Sequence, residues 1–165
     1  MTVSHVVFII LSALILVGGL GVVMVRNLFR SALFLVLSFV GVAGFYILLE
    51  AEFLAMVQLL VYVGAISILI IFAIMLSRRL MSPEFKAYNE QWLIALVSAA
   101  ALCILMVFIL LQVDWPTELS VVSPDTIQEL GIALVSPDQF VLVFEAASVL
   151  LLVALVGAVI IARER

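Results

Sequence analysis

Five long apolar runs dominate this chain: Val3 to Val25, Ser31 to Leu49, Phe53 to Leu76, Trp92 to Val113 and Phe140 to Ala162. At about 1.5 Å per residue, each is long enough to cross the roughly 30 Å of hydrocarbon in a bilayer. Lipid offers no partner to a bare N–H or C=O, so a run of this length satisfies its backbone as a helix. Composition closes the soluble alternative. With 68% of 165 residues hydrophobic and 11% charged, no water-soluble domain has interior enough to hide the apolar surface. The expected fold is an all-α integral membrane protein: one membrane domain over residues 1–165 with five transmembrane helices. The first run lacks the basic start and small-residue cleavage site of a secretory signal and is read as a retained helix.

Orientation follows from the cations, because Lys and Arg flanking membrane spans stay on the cytoplasmic side while acids count for little. Arg26 and Arg30 follow the first run, Arg78, Arg79 and Lys86 the third, and Arg163 and Arg165 the fifth. An amino terminus outside and a carboxyl terminus in the cytoplasm place all seven on the inner face. The outer segments then hold Glu50, Glu52, Asp114, Glu118, Asp125, Glu129 and Asp138 and no cation. In the long outer loop, 114–139, Ser123 is a candidate N-cap, Pro124 a first helical residue and Gly131 a stop, which predicts a short helix near 124–130. Pro116, Pro124 and Pro137 break up the rest. With no targeting peptide, the expected location is a bacterial plasma (inner) membrane.

Several classes of chemistry are disfavoured. Seven Lys+Arg against eleven Asp+Glu, with no basic cluster interleaved with aromatics, argue against nucleic-acid binding. Cys103 stands alone, so an internal disulfide or a Cys-rich metal site is excluded. No dinucleotide fingerprint, P-loop, metal-ligand cluster or Ser/His/Asp set is present. His5, the single histidine, is read as an interfacial residue.

The third run, FLAMVQLLVYVGAISILIIFAIML, sets Gln58, Tyr62, Gly64 and Ser67 near the middle of a bilayer, where polar groups and flexible backbone are least welcome. Gln58 and Tyr62 are four apart, so on one helix face they can share a hydrogen-bond network or a water. Gly64 and Ala65 follow. Two readings are open. Small residues drive helix association in lipid, which makes Gly64 and Ala65 a packing notch. Alternatively, glycine, which weakens a helix interior by about 1 kcal/mol relative to alanine, lets the backbone change hydrogen-bond register to a π-bulge and re-aim the side chains beyond it.

Glu145 is the one carboxylate well inside a predicted span, about a turn and a half below the outer end of the fifth. Acids at such depth usually face a protein interior or a water-filled path. The competing reading is interfacial, with Glu145 reaching headgroups or capping a neighbouring chain. Gly18, Gly19 and Gly21, Gly41 and Gly44, and Ala147, Ala154, Gly157 and Ala158 mark contact faces. Five spans with so little polar content do not line a private aqueous channel, so the chain is expected to pack among other subunits.

The run AEFLAMVQLLVYVGAISILIIFAIML resembles the third helix of subunit J, called subunit 6 in mitochondria, of the proton-pumping NADH:quinone oxidoreductase, respiratory complex I. The stretch TIQELGIALVSPDQFVLVFEAASVLLLVALVGAVIIARE is similar to that family's closing segment, and RNLFRSALFLVLSF to the start of its second helix. Together they cover most of the chain. The VYVGAI core is the most specific part, whereas the fourth span matches only in hydrophobicity.

The resemblance implies a noncatalytic membrane-arm subunit that holds no cofactor itself. NADH, FMN, iron–sulfur clusters and quinone are handled by other subunits. The implied partners are subunits A, H and K and the antiporter-like subunits. It further implies that the third helix switches between α-helical and π-bulged forms around Tyr62, Val63 and Gly64, making and breaking a water path for protons. Gln58, Ala65 and Ser67 border that centre. Some relatives hold an acid where this chain has Gln58, so its expected part is to orient water rather than to carry a proton. Two rivals come from other classes: a small secondary transporter or channel, for which the halves show no inverted repeat, and a structural assembly subunit.

Overall fold

The computed structural model describes residues 3–77, 91–113 and 125–163. Arg78, Arg79, Lys86 and Arg165, the outer acids Asp114 and Glu118, Pro116, and the Ser123–Pro124 helix start lie outside the described residues. Those described are helical apart from short turns. The helices are α1 (Val3–Met24), α2 (Leu28–Leu48), α3 (Glu52–Val57), a π-helical segment (Gln58–Ile66), α4 (Ser67–Leu76), α5 (Trp92–Gln112), α6 (Thr126–Val135) and α7 (Val141–Ala162). The third span is continuous from Glu52 to Leu76 through α3, the π segment and α4. Among the described residues five helices are long and apolar enough to cross a membrane.

Two compact units comprise residues 1–118 and 119–165. In the first, α1 and α2 form an antiparallel hairpin whose seam is set by glycine. A Cβ on Gly18 would stand 2.9 Å from the Ser38 backbone nitrogen, and one on Gly41 would stand 2.6 Å from Ile15 Cγ1. Such close approach replaces the hydrophobic drive that lipid removes. The Phe8 and Phe45 rings meet edge to face at 5.2 Å, and the Ser31 hydroxyl donates to the Val22 carbonyl across the far end of the hairpin.

The second helix starts at Leu28, three residues before the position expected from hydrophobicity. Asn27 explains the difference: its side-chain oxygen accepts from the Phe29 and Arg30 N–H groups, satisfying first-turn donors that would otherwise be bare. At the other end Glu50 takes a left-handed φ of 58°. Its N–H donates to the Ile47 carbonyl and that of Ala51 to Tyr46, the paired bonds of a Schellman cap. The chain thereby reverses into the third span, which packs back along α2.

In the second unit, α6 runs through Gly131 and ends at Val135, so the expected stop at Gly131, with an end near 130, is corrected. An isolated glycine only weakens a helix by about 1 kcal/mol. The stop comes where the Ser136 N–H and hydroxyl both bond the Ile132 carbonyl and Pro137 follows. Neither α5 nor α7 buries a residue within the chain. Their apolar surfaces are left for lipid or for other proteins.

Candidate functional site

Side chains buried within a single membrane subunit are few, and two of the most buried are polar. Among the described residues Gln58 is 6% exposed and Ser67 2% exposed, beside Ala32, Ala43 and Ala55. Both lie on the third span, which among the described residues packs chiefly against α2. They are nine residues apart. At 3.6 residues per turn that is about 2.5 turns, which would set them on opposite faces of an α-helix.

The π segment Gln58–Ile66 resolves the conflict. In π register each N–H reaches back five residues, so a turn takes up more chain. The inward face runs Ala51, Ala55, Gln58, then Val63 and Gly64, then Ser67, Ile70, Ile71 and Ile74, all buried or half-buried. From Gln58 to Ser67 the nine residues make two turns instead of two and a half. The two polar side chains therefore share the α2 face only because the backbone between them is π-helical.

Local chemistry supports that register. The Ser67 N–H bonds the Tyr62 carbonyl, five residues back, and the Ser67 hydroxyl donates to the same oxygen at 2.6 Å. From Ser67 to Leu76 the helix is α-helical again. Gly64 sits inside the segment, where a Cβ would approach only its own helix, at the Leu59 carbonyl oxygen five residues back.

Gln58 and Tyr62 meet α2 through one residue, Phe39. The Gln58 amide donates to the Phe39 carbonyl at 3.5 Å, a long bond. The Tyr62 ring meets that of Phe39 edge to face at 5.6 Å. The two side chains are thus linked through Phe39 and not by the direct hydrogen bond that their spacing allows. Phe39 is an ordinary apolar residue in an apolar span, and nothing in its sequence context singles it out. Ala65 is exposed. Glu145 lies in the second unit, four residues into α7, and is exposed within the chain. No group of three His, Cys, Asp or Glu among the described residues could hold a metal ion.

The family model for NADH-ubiquinone/plastoquinone oxidoreductase chain 6 matches residues 18–161. A chloroplast NAD(P)H-quinone oxidoreductase subunit 6 from Staurastrum punctulatum is 43% identical over 159 residues, covering 91% of this chain and 85% of its own. The NAD(P)H-quinone oxidoreductase chain 6 of Leptolyngbya boryana is 39% identical over 159 residues, 95% of this chain and 78% of its own. That of Synechocystis sp. is 39% identical over 169 residues, 98% and 82%.

Proposed function

Since this chain belongs to the NADH-ubiquinone/plastoquinone oxidoreductase chain 6 family, we propose that it couples quinone reduction to proton translocation through a change of helical register in its third span. It is a subunit of a membrane oxidoreductase complex. Within that complex its proposed role is noncatalytic: electron carriers and quinone are bound by other subunits, and this chain responds to them. Subunits A, H and K and the antiporter-like subunits are its proposed neighbours. A bacterial plasma membrane is its proposed site, with the amino terminus outside.

One observation carries the reading: a π-helical segment at the centre of a membrane span, holding Gln58 and Ser67 buried on one face. Two registers of one helix differ by the rearrangement of a few hydrogen bonds. Such an element is suited to be a two-state switch biased by events elsewhere. Register change would rotate everything beyond it, and the polar groups near Tyr62 would join or leave a path for water. Glu145 is a proposed second station for protons.

Replacing Gly64 by valine tests this. Valine removes the backbone freedom that glycine gives this centre, so exchange between the two registers is opposed. Proton pumping coupled to quinone reduction is expected to fall, while electron transfer to artificial acceptors continues. An assembled complex that pumps normally with Gly64→Val would refute the switch. Ion flux through liposomes holding this chain alone would instead favour a transporter, and a fully active complex lacking it would favour a purely structural role.

A further inference from the structure

We propose that Ser67 is the positioning residue that selects the π register of the third span, and that Leu69 is the residue which takes its seat on α2 in the α register. The inference rests on the coupling role proposed for that span, and it names the side chains on which the two registers are balanced.

The argument is one of phase. Starting from Gln58 on the α2 face, steps of about 3.6 residues reach Tyr62, Ala65 and then Leu69. That is the stripe a straight α-helix would turn toward α2. The structure has a different one: Ser67 is 2% exposed, whereas Leu69 is 71% exposed and Ala65 is exposed. Returning the π segment to α register exchanges the two, carrying Ser67 off the α2 face and Leu69 onto it. One register therefore seals a small hydroxyl against α2, and the other a large hydrocarbon.

Ser67 suits the π seat for two reasons. It is small where almost no free surface remains. Its hydroxyl is also satisfied from within its own helix, by the Tyr62 carbonyl that already accepts the Ser67 N–H. A buried hydroxyl without an acceptor is costly, and this one asks nothing of α2. Alanine at 67 keeps the size and loses only the hydroxyl bond. Leucine at 67 keeps neither property.

The test is made in the intact complex, by high-resolution single-particle imaging that sorts particles by the register of residues 58–67, with the ratio of protons pumped to electrons transferred measured alongside. Ser67→Leu is expected to lower the π-to-α ratio about 5- to 150-fold, the range that overpacking a filled site produces, whereas Ser67→Ala leaves π the main form. Leu69→Ala, which removes the side chain that fills the seat in α register, is expected to hold the span in π during turnover. It also keeps the test decisive should Ser67→Leu fail to assemble.

A π register that persists in Ser67→Leu would overturn the proposal, as would α register reached as often by Leu69→Ala as by the parent. A register shift in these variants with unchanged pumping would uphold the selection by Ser67 and Leu69 and refute the coupling role instead. A shift produced by Gly64→Val but by neither of them would refute the selectors and spare the switch.

Discussion

Gly18 is where the fold has least room. A Cβ added there would lie 2.9 Å from the Ser38 nitrogen and 3.0 Å from Ser38 Cα and Cβ, and the backbone atoms cannot rotate away. Restoring ordinary contact requires α1 and α2 to part by about 0.5 Å, which forfeits roughly a quarter of each atom pair's 0.1–0.2 kcal/mol. Over about fifty atom pairs, as many as one buried leucine makes, the loss is about 2 kcal/mol, within the range measured for overpacked cores. Gly44→Ala should cost less, because its Cβ meets the terminal Cδ2 of Leu11, which can turn aside. Gly19→Ala meets nothing within 4 Å and should be neutral or stabilising, alanine being the better helix former by about 1 kcal/mol.

The assay is cross-linking, by a short bifunctional thiol reagent, of cysteines placed at Phe8 and Phe45, whose rings face each other across the seam. It is followed through an SDS titration in mixed micelles with Cys103 replaced by serine. Gly18→Ala should lose the cross-link at clearly lower SDS than Gly44→Ala, and Gly44→Ala lower than Gly19→Ala. Equal midpoints for Gly18→Ala and Gly19→Ala would refute the glycine-set seam.

Other expectations follow from single residues. Glu50 holds a left-handed φ of 58°, a conformation that costs an L-residue about 1 kcal/mol or more; Glu50→Gly should raise the stability of the turn by about 0.5–1 kcal/mol once glycine's added entropy is deducted, and a lowered melting midpoint would refute the strain. Glu145→Gln is expected to leave assembly intact and lower the number of protons moved per electron; an unchanged ratio returns Glu145 to the interface. A cysteine after Arg163 should react with impermeant reagents from the cytoplasmic side only, and one in the Asp138 turn from the outside only; the reverse pattern would invert the proposed orientation.

What the sequence made legible tracks what lipid dictates. The five spans were readable because hydrocarbon leaves the backbone one solution, and four of the five begin within a residue of the apolar run. The exception is α2, where the Asn27 cap begins the helix ahead of the hydrophobic pattern. Gly131 misled because glycine ends a helix only where a left-handed turn is needed, and α6 needs none there. In the third span, the cluster of Gln58, Tyr62, Gly64 and Ser67 stood out against an apolar background. Its internal order did not: side-chain phase depends on register, and 3.6-residue periodicity places Ser67 on the wrong face. The Phe39 bridge was equally invisible, since it arises from α2 packing against the span and from no pattern local to either.

The most direct measurement is the structure of the assembled complex imaged twice, once at rest and once during steady NADH-driven or equivalent turnover with quinone present, at a resolution that distinguishes i−5 from i−4 bonding between Tyr62 and Ser67. The expectation is two populations that differ in register from Gln58 to Ile66, Ser67 facing α2 in one and Leu69 in the other, with their proportions changing on turnover. A π segment identical in every particle under both conditions would contradict the proposal that this span is the moving part.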